Sequence, residues 1–97
     1  MTKQYLDVKQ MQHLKNLGVD VDLDRPFTYN DIIVRLPKRI SGAFLYATED
    51  KGIIEYREYD AYRGVEILKS FTVEGSIIDA AYKMLSWCIE SGNINLR

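Results

Sequence analysis

The pattern of apolar and polar residues is most regular near the end of the chain, where it predicts one long helix over residues 76–90. Ser76 and Asp79 have the spacing of an N-terminal cap, and Gly92 can adopt the left-handed conformation that ends a helix. The apolar positions cover more than half of the helix circumference, whereas a surface helix needs only a stripe of about 100°. We therefore expect more than one neighbour to cover this helix.

The same periodicity predicts how the final helix packs. Ala81, Met84 and Cys88 lie at the centre of its apolar arc and should be buried against one face of a sheet. Trp87 and Ile89 flank that centre. They should contact the other helices or a second subunit.

A shorter helical pattern covers residues 8–17. Asp7 and Gln10 have the spacing of a capping box, and Gly18 ends the helix. Residues 1–6 show no such pattern and are expected to be frayed. The only histidine, at position 13, points away from the apolar stripe of this helix, which is typical of a solvated side chain.

A third helix is predicted over about residues 29–36. Thr28 and Asp31 form its cap, and Pro37 disfavours the helical conformation at the residue before it. Four aspartates in this part of the chain have a spacing that suggests a calcium loop: Asp20, Asp22, Asp24 and Asp31. Arg25 stands where such a loop needs glycine, and its last ligand should be a glutamate, so we expect no calcium site.

In the middle of the chain the apolar period changes from helical to alternating. Strands are predicted over residues 43–48, 53–59 and 65–72, with Gly52 at the left-handed position of a four-residue hairpin loop. The expected fold is α+β, in the order α-α-β-β-β-α. A three-stranded antiparallel meander carries the helices, and residues 1–97 form a single globular domain.

Pairing Thr48 with Ile53 and Tyr59 with Val65 gives the expected register, which also sets Glu55 opposite Lys69 as an ion pair. One predicted face then carries apolar residues that include Leu68. The other carries Phe44, Tyr46, Ile53, Glu55, Arg57, Tyr59, Val65, Ile67, Lys69 and Phe71. Neither face is cleanly polar, so either helices cover both faces or one face meets another molecule. A slipped register or a β-bulge is the remaining alternative.

Composition limits the classes of function. The net charge is −1 and there is no basic block, which argues against strong binding of duplex nucleic acid. The single cysteine, the absence of a long apolar run and the lack of an N-terminal apolar segment favour a cytoplasmic protein with no membrane contact. We find no motif for catalysis, metal or nucleotide binding, and expect neither an enzyme nor a cofactor.

Three segments carry a family resemblance: residues 11–20, residues 27–37 with Ile40, and residues 79–92. Together they resemble a group of small uncharacterised proteins from gut anaerobes and their phages or mobile elements. The resemblance spans most of the chain and is most specific in the last segment. It implies an order of elements and a cytoplasmic setting, and it implies no activity or functional residue.

The surplus of apolar and aromatic residues predicts a protein-interaction module: an accessory, adaptor or inhibitor protein whose partner the sequence does not identify. Tyrosine and arginine are the residues that most often anchor protein interfaces. The candidate interaction surface is Phe44, Tyr46, Arg57, Tyr59, Tyr62, Arg63, Ile67 and Phe71. A homodimer is one way to cover this surface. The alternative is a single-stranded nucleic-acid-binding protein whose tyrosines stack on bases, although several acids in the same strands oppose it.

Overall fold

The computed structural model describes residues 3–94, which form three helices and a four-stranded antiparallel sheet. The helices are α1 (Val8–Asn16), α2 (Tyr29–Ile33) and α3 (Ile77–Glu90). The strands are β1 (Arg39–Ile40), β2 (Ala43–Thr48), β3 (Ile53–Asp60) and β4 (Gly64–Thr72), and they lie side by side in chain order. The α+β class is confirmed.

The predicted count of three strands is wrong, because the two-residue strand β1 adds a fourth. Arg39 and Ile40 pair with Phe44 and Ala43 across a tight turn. Ser41 in that turn has a φ of 54°, the one positive value at a non-glycine residue in the part of the chain described. Two residues are too few to show an alternating pattern, so no pattern in the sequence indicates this strand.

The predicted caps of α1 are present. Asp7 accepts a hydrogen bond from the backbone N–H of Gln10, whose side chain in turn accepts one from the backbone of Asp7. At the other end Gly18 has a φ of 103°, and the N–H of Val19 donates to the carbonyl of Leu14, as in a Schellman motif. These bonds satisfy backbone groups that a helix end otherwise leaves unpaired.

The expectation of a frayed start is wrong for the described residues of that segment, 3–6. Leu6 is buried, and its N–H donates to the carbonyl of Phe27 at 3.0 Å. Tyr5 forms an isolated bridge with Thr28. A single buried leucine outside any helix or strand forms no periodic pattern, so its burial could not be predicted from the pattern of apolar residues. Residues 1 and 2 lie outside the described part.

Helix α2 ends three residues before the predicted boundary at Leu36. The capping box of Thr28 and Asp31 is present as expected. Residues 34–36 continue as a turn, in which the N–H of Leu36 still reaches the carbonyl of Ile32 at 3.2 Å. Pro37 ends this turn, because it disfavours the helical conformation at Leu36, the residue before it.

The two hairpins differ in how well the sequence predicted their register. All five pairs between β2 and β3, from Phe44 with Arg57 to Thr48 with Ile53, are as expected. Between β3 and β4 the pairs of Tyr59 with Val65 and Arg57 with Ile67 are also correct. Beyond them the prediction is wrong, because a bulge leaves Leu68 unpaired and sets Tyr56 opposite Lys69 and Glu55 opposite Ser70. The predicted ion pair of Glu55 and Lys69 therefore does not form.

Helix α3 contacts both the sheet and helix α2, and its central residues are buried as predicted. Ala81, Met84 and Cys88 are fully covered in the core cluster, together with Ile54 and Tyr56 of β3. The flanking residues Trp87 and Ile89 are half-buried, and both pack against the margin of this core. The broad apolar arc is thus used within one chain.

The buried tyrosine of the sheet has its hydroxyl satisfied inside the core. Tyr56 donates to the carbonyl of Pro37 at 2.7 Å, which links β3 to the segment after α2. The Cys88 thiol lies 3.9 Å from the same hydroxyl. Burial raises the pKa of the Cys88 thiol to about 11, so the thiol is neutral in the core and is not a ready nucleophile.

Polar contacts dock α1 on α3. The side-chain amide of Gln10 and the ammonium of Lys3 both donate to the Asp79 carboxylate at 2.8 Å. His13 is exposed on α1, and its ring nitrogen lies 2.5 Å from the Tyr82 hydroxyl.

None of the helices in residues 3–94 has the length and apolar character needed to cross a membrane.

Gly52→Ala should destabilise the protein much more than Gly64→Ala. Both glycines lie in the left-handed region, at φ of 67° and 80°, so each substitution carries a similar backbone cost. A Cβ at Gly52 would lie 1.9 Å from the carbonyl oxygen of Val73, whereas none of the described atoms lies within 4 Å of one at Gly64. Chemical denaturation should show losses in unfolding free energy of about 1–2 kcal/mol for Gly64→Ala and more than about 3 kcal/mol for Gly52→Ala. Equal losses of unfolding free energy would contradict the close approach of Gly52 to the backbone of Val73.

Candidate functional site: the open face of the sheet

The described helices pack on one face of the sheet and leave the other uncovered. Side chains alternate between the two faces, so the neighbours of buried Ala43, Ile54 and Tyr56 point the opposite way. The shortest dimension of the molecule is 16 Å, which fits one helical layer on one sheet. We call the uncovered side the open face; its residues are Phe44, Tyr46, Glu55, Arg57, Tyr59, Val65 and Ile67.

The open face exposes large apolar side chains that are adjacent across the strands. Tyr46 is 36% exposed and Tyr59 is 59% exposed, while Phe44, Val65 and Ile67 lie between these values. Ladder pairing sets Tyr59 beside Val65, and the Tyr59 ring meets that of Tyr46, so these groups form one apolar cluster. Phe44 and Ile67 lie on either side of Arg57, next to this cluster. Contiguous apolar surface of this kind marks interaction sites more often than scattered single residues do.

A neutralised charge pair lies at the centre of the open face. Glu55 is only 9% exposed, unusually low for a carboxylate on an uncovered sheet face. It accepts hydrogen bonds from the Arg57 guanidinium and, at 3.0 Å, from the Ser70 hydroxyl. The guanidinium carbon of Arg57 lies 4.9 Å from the centroid of the Tyr46 ring, in a cation–π arrangement.

The two exposed tyrosines are coupled to this pair. Their rings meet edge to face, with centroids 6.1 Å apart. The contact between the two phenols raises the pKa of Tyr46 and lowers that of Tyr59, and the Arg57 guanidinium lowers the pKa of Tyr59 further. The hydrogen bond that Arg57 donates to the Glu55 carboxylate raises the pKa of Arg57. The polar groups of the open face therefore satisfy one another and fix the orientation of its aromatic rings.

Beyond the helical layer, β3 and β4 continue as a hairpin arm, which we define as residues 58–68. Every residue of this arm is exposed. On the helix side of the arm Glu58 lies directly opposite Glu66, while the open-face side carries Tyr59 and Val65. The two sides of the arm thus differ sharply, one acidic and one apolar.

The structure brings together five of the eight residues predicted for the interaction surface: Phe44, Tyr46, Arg57, Tyr59 and Ile67. Tyr62 and Arg63 lie at the tip of the arm, where both backbone N–H groups donate to the Asp60 carboxylate. The Tyr62 side chain is 99% exposed there.

Phe71 belongs to the other face, contrary to the expected register. The bulge reverses the facing of β4, so Phe71 pairs with Ile54 and is half-buried against the core. Lys69 lies over its ring, 5.1 Å from the centroid. The same bulge explains why Leu68 was missed: it was expected on the face with Ile54 and Tyr56, whereas it is 49% exposed.

Glu55 was also missed as a member of the site. Its alternation with Ile54 and Tyr56 placed it on the correct face, but its partner there was expected to be Lys69. Arg57, two residues along the same strand and therefore on the same side, is the signal that could have identified the pair.

A concave region elsewhere on the surface brings together three of the four aspartates considered for a calcium site. Its cavity of about 200 Å³ is lined by Asp20, Asp22, Arg25, Pro26, Phe27, Asp31 and Arg35. The Asp31 carboxylate accepts bonds from the backbone and hydroxyl of Thr28, which lower its pKa. Within residues 3–94, no group of three or more His, Cys, Asp or Glu side chains could hold a metal ion.

The chain shows no significant match to any protein-family model, curated protein or solved structure. No activity or binding residue is therefore carried over from a known protein. The resemblance to small proteins of gut anaerobes and their phages stays a prediction. The open face is the feature from which a function can be proposed.

The coupling between Glu55 and Arg57 can be measured directly. The Glu55 side chain is 11% exposed and that of Arg57 is 32% exposed, so removing the arginine alone leaves a largely buried carboxylate unpaired. Arg57→Met should therefore destabilise the wild type by about 1–2 kcal/mol more than it destabilises Glu55→Gln. A double-mutant cycle of unfolding free energies gives this coupling. Strictly additive losses would show that the pair contributes nothing.

Proposed function

We propose that this protein is a small interaction module, acting as an accessory, adaptor or inhibitor protein that binds a protein partner through the open face. The observation that carries this proposal is an exposed apolar patch built around a charge pair that is already neutralised. Solvent-facing sheets normally present polar side chains, so an apolar open face calls for a covering molecule.

The composition of the open face supports a protein as the covering molecule. Tyr46, Tyr59 and Arg57 are of the types enriched at the centres of protein interfaces. Val65 and Ile67 add aliphatic surface, which packs against side chains and offers little to a nucleic-acid base. Because Glu55 is already withdrawn from water, covering it costs less than burying a fully solvated carboxylate would.

In this proposal the protein acts by contact, without catalysis and without a cofactor. Its setting is the cytoplasm, where the buried Cys88 thiol needs no partner for a disulfide. A phage or mobile-element origin is compatible with such a role and rests on the resemblance alone.

Affinity capture from cells of the native host tests the proposal. The bait is the wild-type chain, compared with Ile67→Glu on the open face and Val34→Glu at the end of α2, an exposed position on the helical side. We expect a protein that the wild type and Val34→Glu both retain and that Ile67→Glu loses, because a second carboxylate beside the Glu55–Arg57 pair places a net charge in an apolar interface. Capture of the same proteins by all three baits would contradict the proposal, and so would a wild type that retains neither another protein nor a second copy of its own chain.

One observation favours single-stranded nucleic acid as a second candidate. Two of the acids that opposed it, Glu58 and Glu66, lie on the far side of the sheet from the aromatic rings. Phe44 and Tyr59 then remain available for base stacking beside Arg57. Fluorescence anisotropy at low salt should show micromolar binding of single-stranded oligonucleotides that Tyr59→Ala weakens. If the signal stays flat at micromolar protein, this candidate is excluded.

A further inference from the structure

We propose that the occupant of the open face is a second copy of this chain, packed sheet against sheet about a two-fold axis. This inference rests on the proposed function, since it names the partner of the same surface. The dimer would have four layers, with the two sheets in the middle and the helices outside. Sheets packed face to face lie about 10 Å apart, with their strands roughly aligned.

The apolar patch supplies about half of the area that a stable dimer needs from each chain. Phe44, Tyr46, Tyr59, Val65 and Ile67 are between 36% and 59% exposed. An aromatic side chain buries roughly 150–250 Å² when fully covered, so half of that from each of the three aromatic residues, with a somewhat smaller area from the two aliphatic ones, gives on the order of 400 Å² per chain. Exposed neighbours at the margin, such as Arg39, Ser70 and Thr72, can supply the remainder of the roughly 800 Å² that each partner contributes to a standard interface.

The charges of the open face suit self-association. Arg57 is paired with Glu55 in its own chain, so the centre of the face is neutral and presents no unpaired charge to a partner. Arg39 lies at the margin, where its Nε donates to the carbonyl of Ser41 at 2.7 Å. A partner selected by charge would need an unpaired group to recognise, whereas a second neutral face needs none.

The edges of the sheet are poor sites for association, which leaves the face. Strand β4 ends the sheet on one side, and its ladder is interrupted by the bulge at Leu68. Bulges are one of the devices by which edge strands avoid pairing with other chains. Strand β1, at the opposite side, has only two residues.

The hairpin arm shows from which side the second copy approaches. Glu58 and Glu66 face each other on the helix side. Arg63 pairs with Glu66 at 3.3 Å, so covering this side would bury a net negative charge. Tyr59 and Val65 on the open-face side can be covered without that penalty. A two-stranded hairpin is marginally stable alone, so contact with a second sheet should also stabilise the arm.

Sedimentation velocity over a range of protein concentrations tests the inference. We expect a reversible dimer at micromolar concentration for the wild type. Ile67→Glu should raise the dissociation constant of the dimer at least about 100-fold, because a second carboxylate beside the paired Glu55 and Arg57 gives the centre of each face a net negative charge. Val34→Glu, which adds the same charge on the helical side, should leave the dissociation constant of the dimer unchanged. Tyr59→Ser is a second face variant in case Ile67→Glu does not fold, as judged by circular dichroism.

A wild type that stays monomeric at high micromolar concentration would overturn the inference. So would a dimer that survives both face variants, since it would use another surface. In either case a host protein captured by the wild type and lost by Ile67→Glu would still support the proposed function. Failure of the dimer and failure of the interaction module are therefore distinguishable.

Discussion

The packing of α3 on one face of the sheet is the contact on which the rest of this structure depends. Met84 and Cys88 meet Ile54 and Tyr56 in a fully covered core. Tyr56 extends that core to the end of the α2 segment through its bond to Pro37, and Asp79 anchors α1 by its bond with Gln10. Because both shorter helices join the side on which α3 lies, the described chain has no further element to place on the opposite face.

This one-sided arrangement explains the chemistry of the open face. Glu55 and Arg57 lie on the strand that carries the buried residues Ile54 and Tyr56, so their backbone positions are fixed by the core. Their mutual bond, with Ser70 and the Tyr46 ring, satisfies polar groups that a covering partner would otherwise have to satisfy. The aromatic side chains around them are consequently held in place before a partner binds, which lowers the entropy cost of association.

Much of this architecture could be predicted because its signals are local. The caps at Asp7, Thr28 and Ser76 lie within four residues of their partners, and the left-handed Gly52 identifies the first hairpin. The broad apolar arc of α3 correctly predicted a helix with several neighbours.

The errors came from features that local patterns do not encode. A bulge shifts the facing of every later residue in its strand, so Phe71 turns to the helical side, where it is half-buried against the core, and Leu68 itself is exposed. Strand β1 is too short to alternate, and Leu6 is buried by a contact with a distant segment. The neutral centre of the open face was missed because the expected partner of Glu55 lay across the sheet rather than along the strand.

The chain builds its core on one face of the sheet and leaves the other face of the monomer exposed. Hydroxyl-radical footprinting, read by mass spectrometry at a dilution where the protein is monomeric, tests this arrangement most directly. We predict rapid oxidation of Tyr46 and Tyr59 and strong protection of Tyr56 and Met84. Protection of Tyr46 and Tyr59 equal to that of Tyr56 in the monomer would show that the chain covers both faces itself, and would contradict the account.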